Sequence, residues 1–387
     1  MESNLNRLIS AASIAITAAA LIAGCASESS LSSSASSTST PATLVESTRL
    51  DDVCDSTVAV QTDWFPQAEH GGLYELLGGD YTVDAVAGTT TGPLTFRGVD
   101  TGVNLQIRAG GPFLNSPVVT EMFLDDSVTL GYVGTDVAVS RYAETPTLAV
   151  FNALAINPQV ILWNKALHPT VATISDIAKE VEAVSVYSFG PYVQYLVNAE
   201  VIDAKKVDAN YKGDFALATR DIAHQGFATS EPYRYRTLES GAINTAYQLV
   251  HDVGWTSYPQ NLAINKLRLE ELRPCLTALV PIMQQAQIDF VGDSERTIAT
   301  IVDVVTQLNT YWSQTPELAR YAVDTMTQLG IVSNGTTTTF GDFESPRIDD
   351  FIALAIPILR QQGLTIPDIQ ASDLATNEFL DPAITQP

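Results

Sequence analysis

The chain has 387 residues and a strong acidic excess, with 44 Asp and Glu against 20 Lys and Arg and a formal net charge of -24. Nucleic-acid binding needs clustered Lys and Arg to neutralise phosphates, so this balance argues against a nucleic-acid partner. The hydrophobic content of 45% is normal for a globular protein, and the length suffices for two lobes with a substantial core.

The first residues have the pattern of an export signal. A basic residue, Arg7, precedes an apolar run over 8–23, and small residues then lead to Cys25. The sequence Leu-Ile-Ala-Gly-Cys that ends at Cys25 resembles a bacterial lipobox, which implies a signal peptide over 1–24 and a lipid on Cys25. The alternative is an ordinary secretory signal with an incidental cysteine. The first interpretation predicts an extracytoplasmic protein anchored to the cell membrane.

Serine, alanine and threonine are abundant over 25–50, which predicts a disordered linker between the lipid and a folded body. Two further cysteines, Cys54 and Cys275, remain. In an exported protein they are a disulfide candidate, and the alternative is two buried thiols, because spacing alone does not show that the Cα atoms meet. The sequence has no C-x-x-C and no metal-ligand cluster, and we predict no metal and no cofactor.

The segment after the first cysteine of this pair predicts a strand, a loop and a helix in succession. Alternating valines mark a strand over 58–60, and a polar and aromatic loop over 63–66 follows. His70, two glycines and an amphipathic stretch over 73–77 come next. The loop therefore lies at the carboxyl end of a strand, where open α/β sheets bind their ligands.

Two more strand–loop–helix units are predicted, with strands over 103–107 and 128–133. The loop after the first strand, 109–112, contains two glycines that allow close backbone approach. Thr135 or Asp136 is a suitable N-cap for the helix after the second strand. The three units together predict three loops at one edge of a sheet.

The rest of the chain continues with strands and then becomes helical. Strands are predicted over 147–154, 158–164, 184–187, 226–229 and 246–250. From residue 266 onward, apolar residues recur with helical spacing. This order predicts an α/β protein with two lobes joined by crossing strands and a helical C-terminal part. The predicted boundaries are 51–146 and 251–387 for lobe I, 147–250 for lobe II, and a hairpin or excursion over 80–102.

Several motifs resemble a known group of proteins. The segment T-D-W-F-P-Q-A-E-H-G-G-L-Y, which begins at Thr62, resembles the D-W-x-P-N-x-x-H-x-G-x-Y signature of thiamine-precursor-binding proteins. That group joins thiamine-pyrimidine biosynthesis proteins to the nitrate, taurine and sulfonate receptors of ABC importers. Weaker similarities follow in the same order, at G-Y-V-G-T-D-V-A-V-S, V-A-T-I-S-D-I-A-K, S-E-P-Y and D-L-A-T-N-E-F-L.

The resemblance covers most of 58–380 and implies a periplasmic-binding-protein fold of the second type, in which two lobes close over one ligand by a hinge motion. It implies a small-molecule ligand and, as partners, an ABC permease and its ATPase. We predict no catalytic activity, because the sequence has no G-x-S-x-G, P-loop or H-E-x-x-H motif, and we expect a monomer. The chain has Gln67 where pyrimidine binders usually have Asn. This departure leaves the ligand open between a thiamine-type pyrimidine precursor and a related vitamin such as riboflavin.

The candidate ligand-binding residues are those that the motifs and loops place around the cleft between the lobes. They are Asp63, Trp64, His70, Tyr74, Thr135 and Asp136 on the first lobe, Tyr187, Ser188, Phe189, Gly190, Tyr192, Glu231 and Tyr233 on the second, and Thr256 near the hinge.

Each candidate also has a structural explanation. Asp63 would accept hydrogen bonds from an amino-heterocycle, or would cap its own loop. Trp64 would stack on a ligand ring, or would pack in the core. His70 would stay neutral at a helix start and offer one donor and one acceptor, or would be a satisfied structural histidine. Tyr74 is as suited to the core as to the site, and Glu231 precedes a proline and could cap a turn.

Two other functions fit the same sequence. An anion receptor for sulfonate, taurine or nitrate would use Arg141, Arg234 and Arg236 as counter-charges, since a local arginine can override the net charge. A pyrimidine-forming enzyme of the same fold would use His70 with a carboxylate for acid–base chemistry. The enzymes of that group also carry a dense cysteine cluster for iron, which this chain lacks.

Overall fold

The computed structural model describes residues 48–188, 190–211 and 215–386. The predicted signal peptide, Cys25, most of the predicted linker and the candidate ligand residue Phe189 lie outside this part. Within the described residues, no helix combines the length and the apolar character that a membrane crossing requires.

Strands and helices alternate over the first two thirds of the described chain, and long helices dominate the last third. The strands are β1 (Thr57–Gln61), β2 (Thr82–Asp84), β3 (Thr89–Phe96), β4 (Val99–Arg108), β5 (Val128–Val133), β6 (Thr147–Asn152), β7 (Gln159–Asn164), β8 (Val184–Ser185), β9 (Val207–Asp208), β10 (Ala223–Phe227), β11 (Thr245–Leu249) and β12 (Asn261–Asn265). The helices are α1 (Gly71–Glu75), α2 (Val118–Leu124), α3 (Thr135–Arg141), α4 (Ile174–Glu180), α5 (Pro191–Asn198), α6 (Glu231–Arg236), α7 (Leu269–Gly292), α8 (Glu295–Leu308), α9 (Pro316–Gln328), α10 (Ser345–Gln361) and α11 (Ala371–Leu374).

The first sheet has seven strands in the order β2-β3-β4-β1-β5-β12-β6. At its centre β1 runs parallel to both β4 and β5, with Val60 opposite Ile107 and Leu130. Every residue of β5 is buried, as expected for a strand covered by helices on both faces. Because the three strands are parallel, the loops that follow them leave the sheet at the same edge, as the sequence predicted.

The segment predicted as a hairpin, 80–102, extends this sheet. It forms β2, β3 and the first part of β4, which pair antiparallel to one another. The predicted strand over 103–107 is the second part of β4. The excursion is therefore part of the first lobe's sheet and lies at the side away from β5.

The second sheet has five strands in the order β11-β7-β10-β8-β9. Residues 153–158 connect β6 of the first sheet to β7 of the second, and residues 250–260 return from β11 to β12. The strand predicted over 147–154 ends at Asn152, and Thr147–Asn152 belongs to the first sheet. The connection between the lobes is therefore the irregular segment that follows this strand.

Helices α7, α8 and α9 share one core with the first sheet, whereas α10 packs against α3 and α5. Gly71 and Gly72 of α1 lie so close to α7 that a Cβ on either would collide with Phe290 or Gln287. Helix α7 also carries Cys275, which forms a disulfide with Cys54, with 4.6 Å between the Cα atoms and 221 residues between them in sequence. This bond ties the start of the folded body to the helical part.

Candidate functional site

The loop after β1 is held by the loop after β4. The backbone N–H of Gly110 donates to the carbonyl of Trp64 at 2.9 Å, and that of Gly111 donates to the carbonyl of Asp63 at 3.1 Å. A Cβ on Gly110 would collide with the backbone of Asp63, so this approach requires glycine. The positions of Asp63 and Trp64 are therefore fixed through the main chain, and their side chains remain available for other contacts.

The Asp63 carboxylate is the centre of a polar cluster. Its Oδ1 lies 2.9 Å from His70 Nε2, and the Gln260 amide nitrogen lies 3.2 and 3.1 Å from its two oxygens. The His70 side chain is 0% exposed, whereas 38% of the Asp63 side chain is exposed. The histidine therefore lies behind the aspartate and orients it, and the carboxylate is the group that a ligand would meet first.

The hydrogen-bond pattern also defines the histidine tautomer. With a proton on Nε2, His70 donates to Asp63 beside the Gln260 amide, which donates to the same carboxylate. The Nδ1 atom of His70 and the Oε1 atom of Gln260 are buried and have no hydrogen-bond partner among the described residues. The cluster thus keeps acceptor capacity that its own members do not use.

Two tyrosines lie beneath this cluster. The ring of Tyr132 stacks on His70 with 5.1 Å between centroids, and burial raises the pKa of the Tyr132 hydroxyl. Tyr74, a predicted ligand residue, is also fully buried in the first lobe's core, and burial raises the pKa of its hydroxyl. In this conformation Tyr74 belongs to the core and presents no surface to the cleft.

Trp64 belongs to an aromatic group at the edge of the cluster. Its ring meets Phe65 and Trp312 edge-on, at centroid distances of 5.7 and 6.0 Å. Phe65 in turn stacks on Trp312 at 5.6 Å and 5°. Trp64 is half-buried. One part of the Trp64 ring packs on other aromatic side chains of the first lobe. The exposed part of the same ring is available for contact with a ligand ring.

On the second lobe, Glu231 begins α6 and bonds back to its own strand. Its Oε2 accepts from the backbone N–H of Phe227 at 2.6 Å, which is the turn-capping role considered from sequence. Burial raises the pKa of the Glu231 carboxyl, partly offset by that N–H bond. Tyr233, two residues on, packs against Tyr321 of the first lobe at 5.4 Å. Both predicted ligand residues are therefore engaged by protein groups.

The loop after β8 forms a second polar group on this lobe. Gln225 Oε1 accepts from the backbone N–H of Tyr187 at 2.7 Å and from the Tyr192 hydroxyl at 2.6 Å. Burial raises the pKa of Tyr192. Tyr187 is 65% exposed, Ser188 is exposed, and Gly190 is the N-cap residue of α5. Among the described residues, no hydrogen bond joins this group to Asp63 or His70.

The predicted capping role of Thr135 and Asp136 is wrong. Gly134 is the N-cap residue of α3, and both predicted caps lie inside the helix. The backbone N–H of Thr135 donates instead to the carbonyl of Tyr258 at 2.9 Å, and its hydroxyl accepts from Asn261 at 3.3 Å. The Asp136 carboxylate accepts from the N–H of Val137, and burial raises its pKa. The helix start is thus bound to the returning segment.

Thr256 lies on that returning segment, where its carbonyl accepts from Arg347 Nε at 2.9 Å. The Arg347 guanidinium stacks over the ring of Tyr258 at 3.7 Å, and burial lowers its pKa. Arginine stays charged under such burial, so this residue is a fixed positive group beside the hinge. Thr256 contributes its backbone to this arrangement.

The predicted site residues therefore form three groups, around Asp63, around Gln225 and around the α6 start. Thr256 lies on the returning segment, and Thr135 and Asp136 lie at the start of α3, which is bonded to that segment. Sequence reasoning missed Gln260 and Gln225, because a single glutamine in a strand or loop carries no motif. It also missed Trp312, which lies 246 residues from its partner Pro66. For Gln260, the available signal was its position at the end of the return segment, directly before β12.

The three candidate counter-charges have different surroundings. Arg141 is exposed and lies 3.7 Å from Glu144, in the turn that follows its helix. Arg236 lies over the rings of Tyr233 and Tyr321. Arg234 alone is partly buried between the lobes. The described residues contain no group of three His, Cys, Asp or Glu that could hold a metal ion.

No protein-family model and no curated protein matches the chain. Solved structures do match it. The periplasmic aliphatic sulphonate binding protein SsuA from Escherichia coli has a TM-score of 0.52 and 11% identity, over 82% of this chain and 91% of that one. A ligand-binding component of an ABC-type import system from Staphylococcus aureus, solved with zinc bound, has a TM-score of 0.50 and 13% identity, over 84% and 97%.

A third structure, of a protein from Bordetella bronchiseptica RB50, has a TM-score of 0.51 and 13% identity, over 84% of this chain and 96% of that one. At such low identity these similarities concern the fold. The predicted fold is confirmed: the chain has the two-lobed α/β architecture of periplasmic binding proteins, with two sheets and a helical C-terminal part.

Proposed function

We propose that this protein is an extracytoplasmic solute receptor of an ABC importer that binds a small heteroaromatic nutrient between its two lobes. The ligand class is a thiamine-type pyrimidine precursor or a related vitamin such as riboflavin. The protein would deliver that ligand to a permease driven by a separate ATPase. The binding-protein fold and the resemblance of the 62–74 segment to thiamine-precursor binders support this proposal.

The observation that carries the proposal is the Asp63 carboxylate. It is 38% exposed, although His70 and Gln260, the two residues that hold it, are buried. A fixed carboxylate is an acceptor for ring amino or N–H groups, and such charge-assisted hydrogen bonds contribute roughly 1.5–3 kcal/mol each. Trp64 follows directly in the chain and provides an aromatic surface beside it. A flat ring with donor groups matches this pair.

The charges around the cleft disfavour an anionic ligand. Glu69 is buried, and its charge repels the Glu231 carboxylate, which contributes to the raised pKa of Glu231. Asp63 is a third carboxylate, on the same lobe as Glu69. The partly buried Arg234 is the counter-charge that interacts with both glutamates. An anion would have to compete with these carboxylates for one guanidinium. A neutral or cationic ligand meets no such competition.

A sulfonate, taurine or nitrate receptor is the second candidate. The observation that favours it is the position of Arg234 between the lobes, together with the similarity to a structure described as a sulphonate binder. We further infer that Cys25 carries a lipid that anchors the receptor to the cell membrane. The lipobox-like sequence and the Ser-rich segment after it support this inference.

A ligand panel tests the proposal. Thermal unfolding of the purified protein is measured with a 4-aminopyrimidine precursor of thiamine, riboflavin, taurine and nitrate. Ligand at one hundred times its Kd stabilises the folded state by about 2.7 kcal/mol, so a tight ligand is readily detected. We expect the pyrimidine or the flavin to raise the unfolding temperature. A shift with taurine or nitrate alone would replace the heteroaromatic proposal by the anion receptor.

The variant Asp63→Asn sharpens this test. It keeps the shape of the side chain and removes its charge, and we expect about tenfold or greater loss of affinity for an amino-heterocycle by calorimetry. The matched control is Asp350→Asn, which changes an exposed carboxylate on α10 and should leave the affinity unchanged. Equal affinity for the Asp63 variant and the wild type would contradict the proposed role of this residue.

A further inference from the structure

The corner between β10 and α6 makes direct contacts across the cleft. The Thr229 hydroxyl donates to Glu69 Oε1 at 2.5 Å, and the Tyr321 hydroxyl donates to the carbonyl of Ala228 at 3.1 Å. Thr229 and Ala228 follow β10 of the second sheet, whereas Glu69 and Tyr321 pack with the first. These bonds therefore join one lobe to the other beside the first connecting segment, where the backbone N–H of Ala228 donates to the carbonyl of Pro158 at 2.9 Å.

Arg234 is the central residue of this contact. Its Nε donates to the Ser230 hydroxyl at 3.0 Å, which fixes the guanidinium to its own helix. Its Nη2 donates to the carbonyl of Ser313 at 3.0 Å, and its plane lies over the ring of Trp312 at 5.3 Å. One N–H donor and the flat face of this side chain therefore contact the first lobe, at Ser313 and Trp312.

Trp312, which contacts this arginine, is itself held in place by the loop that carries Asp63. Its ring stacks on Phe65 at 5.6 Å, and its Nε1 donates to the carbonyl of Pro66 at 3.1 Å. The loop that carries Asp63 and the loop that carries Trp312 are therefore one rigid surface. A second cation–aromatic contact lies beside it, where Arg236 is 5.2 Å from the Tyr321 ring.

The charges favour the same closed arrangement. Glu69 of the first lobe and Glu231 of the second both attract the Arg234 guanidinium. Rotation of the lobes would separate Glu69 from Thr229 and from this positive charge. A buried carboxylate that loses such partners is unfavourable until water reaches it.

We infer that these contacts form a latch, made of Ala228, Thr229, Arg234 and Arg236 on the second lobe and Glu69, Trp312, Ser313 and Tyr321 on the first, that holds the lobes together and sets how readily the cleft opens. Arg234 is its main positioning residue. The latch uses only groups of this chain, so its action is independent of the ligand that the cleft takes.

Arg234→Ala tests the latch in the full chain without added ligand. Loss of one charged hydrogen bond and one cation–aromatic contact should raise the open fraction about tenfold. We expect a larger radius of gyration by small-angle X-ray scattering and about tenfold faster hydrogen exchange over 228–236. Arg234→Lys keeps the charge without the planar fork, and we expect a smaller change in the same direction.

The matched control is Arg320→Ala. Arg320 lies on α9 of the first lobe and pairs with Glu295 at 2.6 Å, within that lobe. It should change neither scattering nor exchange over 228–236. The combination of Arg234→Ala with Trp312→Leu should be less than additive, because both changes break one contact. Unchanged scattering and exchange in a folded Arg234→Ala would overturn the inference; if that variant does not fold, the same readouts on Arg234→Lys decide it.

Discussion

The two lobes present very different surfaces to the cleft. On the first lobe, the Asp63 loop is fixed by the Gly110–Gly111 backbone, and its carboxylate is oriented by His70 and Gln260. On the second lobe, Tyr187 is 65% exposed, and it is held through its backbone N–H, which donates to Gln225. The first surface is preorganised, whereas the second exposes the side chains of Tyr187 and Ser188, which can adapt to a ligand.

This difference assigns different tasks to the lobes. A fixed acceptor with buried supports selects a ligand by its donor pattern, because nothing there needs to rearrange when the ligand arrives. Exposed side chains on the opposite lobe can change rotamer and contact the ligand that the first lobe has bound. Substitutions that disturb the first lobe should therefore reduce both the free energy of unfolding and the ligand affinity. Substitutions on the second lobe should reduce them less.

The largest effect is expected from the disulfide in the first lobe. Replacing Cys54 and Cys275 by serine removes a bond that closes 221 residues of chain, and we expect the free energy of unfolding to fall by about 2–5 kcal/mol. Denaturant unfolding measures the loss. Hydrogen exchange should accelerate most in β1 and α7, which pack near the bond. Equal acceleration of hydrogen exchange in both sheets would contradict the view that this disulfide stabilises the first lobe and not the second.

Gly110→Ala should disturb the Asp63 loop directly. The added methyl collides with the backbone of Asp63, and overpacking of this kind costs about 1–3 kcal/mol. We expect reduced stability by thermal unfolding and reduced ligand affinity by calorimetry. Gly79→Ala is the matched control, because a Cβ there meets no heavy atom within 4 Å. Full ligand affinity in Gly110→Ala would show that the loop is less preorganised than its contacts indicate.

The smallest effect concerns a pH-dependent contact on the second lobe. The two ring nitrogens of His168 lie 2.7 Å from Glu180 and 2.7 Å from Asp221. Burial acts to lower the pKa of His168, but hydrogen bonds to Asp221 and Glu180 outweigh it and raise the pKa above 6.5. Protonation therefore stabilises the fold below the unfolded-state pKa, and that stability is lost as the pH rises through the folded-state pKa.

We expect this loss to be under about 1 kcal/mol, because the two carboxylates are largely exposed. Measuring the free energy of unfolding between about pH 6 and 8 should show the decline, and His168→Asn should remove it. The wild type and the variant should otherwise have the same pH profile. A decline of the same size in both would assign the pH dependence to other groups.

Much of the fold follows from local patterns. Buried apolar runs identified β5 and β7, and helical spacing identified α8 and α10, because these elements are held mainly by burial of one continuous surface. The glycines at 110 and 111 were recognised as permitting close approach, and the structure shows the approach. The N-cap of α3 was missed because Thr135 bonds to a segment more than a hundred residues away.

The opening motif shows both what the sequence determined and what required the tertiary structure. The strand, the loop and the residues Asp63, Trp64 and His70 could all be placed from their order in the chain. Their roles could not, since Gln260 reaches Asp63 from 197 residues away and Trp312 reaches Pro66 from 246 residues away. Periodicity reports which face of an element is buried, whereas the partner of a polar group depends on which distant segment the fold brings beside it.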